Sequence, residues 1–234
     1  MRLREFPAGT WAVSLTGGGE MLCAGRHSGD FSDPALTGPA SRRLVDLPWT
    51  WLQQVHGADV VVVEEPGACS GEEADAAITA CAGAALAVFT ADCAPVGLAS
   101  PEGVIGAIHA GWRGLVLGVV GAAVAAMRSL GAGDVVAAIG PCIKPHAYGF
   151  SRADLERVAA LLGRGVLAVD STGRPALDLP AAVRAALSQS GARTLASADA
   201  CTHCSANHWS WRARGDRQRQ ANVVWRTSLP AGES

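Results

Sequence analysis

Three short segments of this sequence place a histidine or a cysteine beside turn-forming residues. The segments read QVHG, TADC and HAGWRG, and they contain His56, Cys93 and His109. Two imidazoles and one thiolate are good zinc ligands, and three protein ligands leave a fourth position for water or substrate, as in catalytic zinc sites. A zinc ion would lower the pKa of that water to about 7. The long gaps between the segments match no short zinc motif, so spacing alone leaves open a structural role for each residue.

The loop that follows His109 has a second chemical feature. Residues 110–114 lead from a predicted strand into a predicted helix, and glycines flank Trp112 and Arg113. Free backbone N–H groups at a helix N-terminus, the helix dipole and an arginine together favour an anion such as phosphate. The alternative is a tight turn whose arginine faces solvent.

Two carboxylates and another cysteine lie near these segments. Asp75 is part of ADAAIT, and Asp92 directly precedes Cys93. Each carboxylate is a candidate general acid and base, or a hydrogen-bond partner that orients a ligand histidine. A turn-capping role is the alternative for Asp75. Cys142 follows a predicted strand at a Gly-Pro turn, which favours a small buried thiol.

A second cluster of metal-ligating residue types lies near the C-terminus. Cys201 and Cys204 form a CxxC pair, with His203 between them and His208 nearby. This pattern is half of a structural zinc site, and the chain has no second CxxC to complete it.

The composition is that of a compact globular protein, because 49% of the residues are hydrophobic and only 17% are charged. The net charge of -2 gives no electrostatic reason to expect nucleic acid or an anionic membrane as a partner. The longest apolar run, 114–127, is shorter than the roughly 20 residues that span a membrane. The cysteines are odd in number and scattered, and the N-terminus has no continuous apolar stretch. We therefore expect a cytoplasmic protein without disulfides or a signal peptide.

The hydrophobic pattern predicts strands and helices without strict β-α-β alternation. Strand-length apolar runs occupy 60–64, 74–79, 86–90, 95–99, 104–109, 135–139 and 222–226. Helices are predicted at 115–130, 152–162 and 179–188, with Ser151 and Asp178 as N-caps. The loop-like stretch 25–41 precedes the first clear strand. We expect one α+β domain over residues 1–234, with a mixed β-sheet core flanked by helices.

The segments occur in an order that is typical of one family. Between roughly residues 53 and 148, the chain resembles the YfiH-like family of laccase-domain proteins, also called multicopper polyphenol oxidoreductases, through QVHG, ADAAIT, FTADCAPVGL, IGAIHAGWRG and AIGPCI. HAGWRG together with ADC is very specific. Shorter matches lie at 27–30, 201–202 and 208–212. The resemblance implies a YfiH-like fold, related to the catalytic domains of deamidating toxins.

The resemblance also implies a site and an activity. The family's metal ligands correspond to His56, Cys93 and His109, with zinc as the expected ion. The implied reaction is phosphorolysis of adenosine, inosine and methylthioadenosine, with deamination of adenosine beside it, so a nucleoside and phosphate are the expected partners. The candidate catalytic residues are Asp75, Asp92 and Arg113. The candidate substrate-binding residues are Trp112, Arg113, Cys142 and Arg212, and Trp209 is a further candidate for stacking on a purine ring.

The sequence departs from the family pattern in three places. Residues 14–19 read SLTGGG, where the family usually has Thr-x-Arg-x-Gly-Gly, so the arginine is missing. Tyr148-Gly149-Phe150 replaces Tyr-Glu-Val, and the tail keeps Arg212 but otherwise matches loosely. These departures concern the substrate and the level of activity more than the three metal ligands.

Other functions of the same residues stay open. Cys93 and His109 could form a nucleophile–base pair without a metal, as in an amidase, and some YfiH-like proteins edit peptidoglycan precursors. The polyphenol oxidase label implies copper, although one mixed nitrogen and sulfur site differs from the multi-copper cluster of a laccase. A metal-binding protein that has lost its activity is a third interpretation. The sequence does not determine the preferred base, the physiological metal or the oligomeric state.

Overall fold

The computed structural model describes residues 7–34 and 38–226. The first six residues, on which the expectation of no signal peptide partly rests, lie outside this part of the chain. The strands are β1 (Trp11–Ser14), β2 (Gly19–Cys23), β3 (Trp49–Trp51), β4 (Val60–Val62), β5 (Ala76–Thr79), β6 (Ala85–Thr90), β7 (Ala94–Ala99), β8 (Ile105–Ala110), β9 (Val135–Ile139), β10 (Leu167–Val169), β11 (Pro175–Leu177), β12 (Ala192–Ser197) and β13 (Gln220–Arg226). The helices are α1 (Gly38–Leu44), α2 (Trp112–Leu117), α3 (Val119–Ser129), α4 (Arg152–Leu162), α5 (Leu179–Gln189) and α6 (Trp211–Arg214).

The strands form two large sheets and a hairpin. One sheet has the order β1-β2-β13-β6-β3, the other has the order β12-β9-β7-β8-β5-β4, and β10 pairs with β11. Most neighbours are antiparallel, but β3 with β6, β4 with β5 and β9 with β12 are parallel. This topology confirms the predicted α+β class and divides the mixed core between two sheets.

The two sheets share one hydrophobic core. Met21, Leu86 and Val224 of the first sheet pack with Ile105 of the second. Gly97 of β7 permits a close approach, because a Cβ there would lie 2.7 Å from the Met21 Sδ. Every residue of β6, β7 and β8 is buried, which explains their continuous apolar sequences.

Helices cover the other side of the six-stranded sheet. Val124 and Met127 of α3 and Leu187 of α5 belong to the same buried cluster as Val96 and Ile108 of the sheet. The spacing of the buried residues in α3 places them on one face of that helix, as the periodicity of its sequence requires. This layer fixes the sheet whose strands β7 and β8 begin and end at the predicted site.

The predicted strands with strong apolar patterns are confirmed as β4 to β9 and β13, with small differences at their ends. The predicted helices at 152–162 and 179–188 are confirmed as α4 and α5. The Ser151 side chain accepts a hydrogen bond from the Asp154 N–H at 3.1 Å, and Asp178 accepts one from the Ala181 N–H at 2.9 Å. Both predicted N-caps therefore satisfy backbone donors of the first helical turn.

The prediction of a single helix at 115–130 is wrong, because the helix is interrupted at Gly118. This residue has a φ of 93° and donates its N–H to the carbonyls of Gly114 and Leu115, which ends α2. The apolar run is thus divided between α2 and α3. Among the described residues, no helix is long and apolar enough to cross a membrane.

Several short elements have no clear signal in the sequence. The strands β1, β2 and β3 precede the first predicted strand, and β10, β11 and β12 were also missed. The stretch 25–41, predicted to be a loop, contains a 3-10 turn and the start of α1. Exposed and half-buried residues alternate along β1 and most of β12, so neither strand has the continuous apolar run that identifies a buried strand.

Candidate active site

The fold brings the three predicted metal ligands together. Cys93 lies in the turn between β6 and β7, His109 is near the end of β8, and His56 follows β3. One potential ligand atom from each residue lies within 4.8 Å of the others. The Cys93 Sγ is 3.8 Å from the His56 Nε2, and the rings of His56 and His109 meet edge-on with centroids 4.7 Å apart. One metal ion could therefore contact all three side chains.

Asp75 holds both histidines in place from a fully buried position. Its Oδ1 accepts hydrogen bonds from the His109 Nδ1 at 2.6 Å and from the His56 N–H at 3.0 Å. Its Oδ2 accepts from the N–H groups of Val55 at 3.1 Å and Gly57 at 2.6 Å. The bond to Nδ1 leaves the Nε2 of His109 for a metal, an arrangement that is common around metal-binding histidines.

The backbone near the ligands is strained and tightly packed. His56 has a φ of 60° and Asp92 a φ of 100°, both in a region that residues with a Cβ rarely adopt. Such conformations typically cost about 1–3 kcal/mol each and persist where surrounding contacts enforce them. A Cβ on Gly111 would lie 2.8 Å from the His56 Cδ2 and 3.2 Å from the Cys93 Sγ. The closeness of the ligands therefore depends on a glycine at this position.

The ionisation of these groups is coupled. Burial raises the pKa of the Cys93 thiol, but the charge of His109 and hydrogen bonds with both histidines outweigh burial and lower the pKa to about 6. Burial lowers the pKa of His109, whereas the Cys93 thiolate and the Asp75 hydrogen bond raise it to about 9. Burial also opposes ionisation of Asp75, yet hydrogen bonds from His109 and Gly57 keep its pKa below the ordinary value. In the absence of a metal, Cys93 and His109 thus form a thiolate–imidazolium pair near neutral pH.

Asp92 ties the Cys93 turn to the C-terminal part of the chain. Its Oδ1 accepts a hydrogen bond from the Thr202 hydroxyl at 2.7 Å, and its Oδ2 accepts from the Arg212 N–H at 2.7 Å. Its backbone carbonyl accepts from the Ile143 N–H at 3.0 Å. Because both carboxylate oxygens are occupied and buried, this geometry favours a positioning role over the general acid and base role predicted for Asp92.

The ligands open into a cleft of about 690 Å³. Its walls combine aromatic rings with positive charges: the aromatic residues are Phe31, Trp51, Phe89, Trp112, Tyr148 and Trp211, and the arginines are Arg113, Arg212 and Arg219. The Arg113 Cζ lies 4.8 Å from the Trp112 ring centroid, and the Arg212 Cζ lies 5.2 Å from the Tyr148 ring centroid. This surface can stack on a flat ring and can bind an anion.

The predicted substrate-binding residues divide into two groups. Trp112, Arg113 and Arg212 line the cleft, whereas Cys142 does not. Cys142 is fully buried and forms an isolated backbone bridge with Cys201, and burial raises the pKa of its thiol to about 12. The predicted contact between Cys142 and substrate is therefore replaced by the packing role that was its alternative.

The predicted anion site at the start of α2 is smaller than the sequence indicates. This helix has six residues, so its dipole is weaker than that of the long helix that was expected. The Arg113 side chain is exposed to solvent and also lines the cleft. Any anion bound here would depend chiefly on arginine side chains.

Some site residues had no usable signal in the sequence. Trp51 and Arg219 reach the cleft only through the fold, because they lie in segments outside the recognised motifs. Gln54 belongs to QVHG and could have been singled out: its side-chain amide donates to the Phe89 carbonyl at 2.8 Å, and its oxygen accepts from the Phe89 N–H at 2.7 Å. Trp209 is absent from the cleft lining, since its indole donates to the carbonyl of Gly29 at 3.3 Å.

The described residues contain a second group of potential metal ligands. His146, Cys201 and Cys204 offer atoms that all lie within 4.8 Å of one another. Two histidines were expected beside the CxxC pair. His208 lies outside this group and contacts the Ser205 hydroxyl through its Nδ1 at 2.9 Å, whereas the His203 Nδ1 lies 3.8 Å from the Cys204 Sγ. The spacing of residues in the sequence therefore did not identify His146 as a member of this group.

The fold and the site together define an α+β protein with a candidate His–Cys–His metal centre at a cleft. A family model described as multi-copper polyphenol oxidoreductase laccase matches residues 26–227. The chain belongs to this family, which confirms the resemblance found from its motifs.

Curated relatives share the family and a common name. A purine nucleoside phosphorylase of Streptomyces coelicolor is 45% identical over 179 residues, covering 75% of this chain and 74% of the relative. The purine nucleoside phosphorylase YfiH of Escherichia coli K12 is 31% identical over 214 residues, covering 88% of this chain and 86% of the relative. The names of these relatives support an enzyme of this family.

Solved structures confirm the fold. YlmD from Geobacillus stearothermophilus matches with a TM-score of 0.76 and 27% identity, covering 90% of this chain and 93% of that chain. A protein of Neisseria meningitidis matches with a TM-score of 0.81 and 23% identity, covering 94% and 99% of the two chains. The predicted YfiH-like fold is therefore correct.

Proposed function

We propose that this protein is a zinc-dependent purine nucleoside phosphorylase that acts on adenosine, inosine and methylthioadenosine, with deamination of adenosine as a side activity. The main observation in support of this function is that His56, Cys93 and His109 converge at a cleft lined by aromatic rings and arginines. The names of the relatives support the same reaction class. A cleft of about 690 Å³ is in the size range that small-molecule sites usually have.

The donor set fits a zinc ion. Two imidazole nitrogens and one thiolate are typical zinc ligands, and Asp75 holds the His109 ring in the orientation that such a site needs. Imidazole and thiolate also suit copper, which the family description names, so the metal identity is a matter for measurement. When bound, the metal supplies Lewis acidity at the floor of the cleft.

The walls of the cleft supply separate contacts for the two substrates. The rings of Trp112, Tyr148 and Trp211 offer stacking surfaces for a purine base. The guanidinium groups of Arg113 and Arg212 offer paired N–H donors and positive charge for phosphate. Arg113 and Arg212 would thus bind phosphate beside the metal site.

The proposed phosphorolysis needs the two substrates to be aligned rather than a covalent intermediate with the protein. An oxygen of phosphate forms a bond to C1′ of the ribose as the bond from C1′ to N9 of the base breaks. The products are ribose 1-phosphate and the base, which leaves with the bonding electrons and takes up one proton. Arg113 and Arg212 would hold phosphate on one side of the ribose, and the aromatic wall would hold the base.

The two buried carboxylates act by position in this proposal. Asp75 keeps the Nε2 of His109 directed away from the carboxylate, and Asp92 fixes the Cys93 turn against Thr202 and Arg212. Asp75 is fully buried, and both Asp92 oxygens already accept hydrogen bonds, so we assign neither residue a contact with substrate. The proposal therefore gives both residues positioning roles, and their roles as general acids and bases stay predictions.

The test is a nucleoside assay with and without phosphate. Zinc-loaded protein should convert inosine to hypoxanthine and ribose 1-phosphate at a rate that rises with phosphate, and adenosine should give adenine with a smaller amount of inosine. Arg113→Gln should raise the KM for phosphate more than the KM for inosine, whereas Cys81→Ser, which lies outside the cleft lining, should leave both unchanged. Intact nucleosides in the presence of zinc and phosphate would show that the proposal is wrong.

A second function is favoured by one observation, the lowered pKa of Cys93 beside His109 and Asp75. In an amidase, the thiolate would attack the carbonyl carbon of an amide, and His109 would give a proton to the leaving amine. Water would then cleave the thioester and release the acid. Peptidoglycan precursors carrying a wrong amino acid are the substrates implied by some family members.

Alkylation separates the two functions. Metal-free protein should react with iodoacetamide at Cys93 in both cases, because the thiolate is present near neutral pH. Zinc should protect Cys93 in the phosphorylase. Rapid alkylation of zinc-loaded protein, together with hydrolysis of a peptidoglycan precursor amide, would support the amidase instead.

A further inference from the structure

Two turns bring a second set of metal-ligating side chains together. The His146 Nε2 lies 3.2 Å from the Cys204 Sγ, and potential ligand atoms of His146, Cys201 and Cys204 lie within 4.8 Å of one another. These three residues take no part in the lining of the cleft that contains Cys93. These residues have no role in the proposed phosphorylase reaction.

The sheet explains how residues so far apart in sequence meet. The strands β9 and β12 are parallel neighbours, so the loops that follow them leave the same edge of the sheet. The Thr202 N–H donates to the Cys142 carbonyl at 3.2 Å, and the Lys144 Nζ donates to the Ala198 carbonyl at 2.7 Å. Protein contacts alone therefore hold the two turns side by side.

The local turn directs both thiols to one place. The Ser205 N–H donates to the Cys201 carbonyl at 3.0 Å, and the thiols of Cys201 and Cys204 hydrogen-bond to each other. The His203 Nδ1 lies 3.8 Å from the Cys204 Sγ. A CxxC turn with histidines beside it is the donor arrangement of structural zinc sites.

We propose that His146, Cys201 and Cys204 bind a second zinc ion, separate from the ion proposed at His56, Cys93 and His109. Two thiolates and one imidazole suit zinc better than calcium or magnesium, which prefer oxygen ligands. The two thiolate charges balance the charge of the ion. The ring of His203 is near enough to provide the fourth ligand after a change of side-chain rotamer, and water is the other source.

The ion can reach this site without unfolding of the protein. His146 and Cys204 are exposed and, with His203, line a second cavity of about 670 Å³. Asp170 also lines this cavity, but its carboxylate already accepts hydrogen bonds from Thr172 and Arg174. The potential metal-ligand atoms at this edge of the cavity are therefore thiol sulfurs and imidazole nitrogens.

The second ion would stabilise a contact that supports the cleft. Thr202 lies between the two cysteine ligands, and its hydroxyl donates to the Asp92 Oδ1 at 2.7 Å. Asp92 directly precedes Cys93. An ion that fixes the 201–204 turn thus fixes a partner of the Cys93 turn while it touches no residue of the cleft. We expect zinc at this site to raise the melting temperature of the protein with little change in turnover.

Metal content tests the second site. Reduced protein is loaded with zinc, dialysed and analysed for zinc per chain. Wild type and Cys81→Ser should retain two zinc ions. Cys204→Ser, His146→Ala and Cys93→Ala should each retain one, and Cys93→Ala/Cys204→Ser should retain none. Because Cys204 and His146 are exposed, their replacement leaves the core intact.

Spectroscopy and melting provide the second measurement. Cobalt bound to Cys93→Ala should give a thiolate charge-transfer band that disappears in Cys93→Ala/Cys204→Ser, and zinc should raise the melting temperature of Cys93→Ala but not of the double variant. Zinc content of one in wild type and none in Cys93→Ala would overturn the proposal. A Cys201–Cys204 disulfide that persists under reducing conditions and blocks zinc binding would overturn it as well.

Discussion

The two histidine–cysteine groups of this protein are held in different ways. His109 lies on a buried strand and is hydrogen-bonded to Asp75, which also fixes the turn that carries His56. His146 and Cys204 lie on exposed turns, and no buried carboxylate within the described residues hydrogen-bonds to either. The first group is therefore preorganised by the protein, whereas the second depends on turns that a metal would stiffen.

The difference indicates what each group is for. A site that directs chemistry must hold its ligands in a fixed geometry before the substrate arrives, and strained backbone at His56 and Asp92 is a common feature of such sites. A site on exposed turns is stiffened further when the ion binds, because the metal–ligand bonds link the turns. We expect loss of the first group to remove activity and loss of the second to lower stability.

The largest contrast should come from removing one histidine of each group. His109→Ala should abolish phosphorolysis and zinc binding at the first group, because it removes a ligand and leaves Asp75 without its main partner. His146→Ala should keep turnover within a few-fold of wild type and lower the melting temperature of zinc-loaded protein. Equal loss of turnover in the two variants, measured with inosine and phosphate, would contradict the division of roles.

The next effect concerns the carboxylate behind the first group. Asp75→Asn should weaken zinc binding or lower turnover by about 10–100-fold, the usual cost of changing a partner of a metal-ligating histidine. Asp170→Asn is the matched control, since Asp170 is also buried and accepts backbone N–H groups, but on the β10–β11 hairpin. Zinc affinity at the first group, measured by chelator competition, should fall only in Asp75→Asn. A lower melting temperature without a change in affinity would mean that Asp75 is merely structural.

A smaller effect is expected from a methyl group at Gly111. The new Cβ would lie 2.8 Å from the His56 Cδ2, so Gly111→Ala must push His56 or the α2 turn aside and weaken zinc binding. Gly121→Ala is the control, because a Cβ on this α3 glycine would meet only the Ser190 hydroxyl at 3.7 Å. That variant should gain roughly 0.5–1 kcal/mol of unfolding free energy from helix propensity. Unchanged zinc affinity in Gly111→Ala would refute the close packing at the first group.

The smallest effect is a difference in the pH dependence of two cysteines in metal-free protein. Interaction with His109 lowers the pKa of Cys93 to about 6, against an ordinary value of 9.0. Partial desolvation and the hydrogen bond with Cys201 raise the pKa of the exposed Cys204 thiol. Because the thiolate is the reactive form, Cys93 should react with iodoacetamide above about pH 6, and Cys204 should need a higher pH than Cys93. Peptide mass spectrometry checks the order, and equal pH profiles would contradict it.

The sequence was informative where local patterns carry the structure. Continuous apolar runs identified the buried strands β6, β7 and β8, and capping residues identified the starts of α4 and α5. The motif segments identified His56, Cys93 and His109. Local patterns do not show which strands pair with one another in the fold, which is why β1, β2 and β3 were missed. A single glycine with positive φ, Gly118, divides a helix that its apolar residues predicted to be continuous.

The hydrogen bonds of the site and the residues that line it were less predictable from the sequence than the three metal ligands. The roles of Asp75 and Asp92 depend on hydrogen bonds from backbone and side-chain groups that only the folded chain brings near, at 2.6 to 3.1 Å for Asp75. Cys142 and Trp209 are absent from the cleft lining: Cys142 is fully buried, and the Trp209 indole donates to the Gly29 carbonyl. His146 joined the CxxC pair because β9 and β12 are parallel neighbours, a relation that the sequence does not express.

The central claim is that the first histidine–cysteine group supports phosphorolysis as a metal site. The most direct measurement is a zinc titration of metal-free Cys204→Ser, in which only the first group remains to bind zinc, with phosphate-dependent release of hypoxanthine from inosine as the readout. The account predicts that activity rises to a plateau at one zinc per chain and is absent when Cys93→Ala is added. Full activity in metal-free protein with a chelator present, or no activity at saturating zinc, would contradict it.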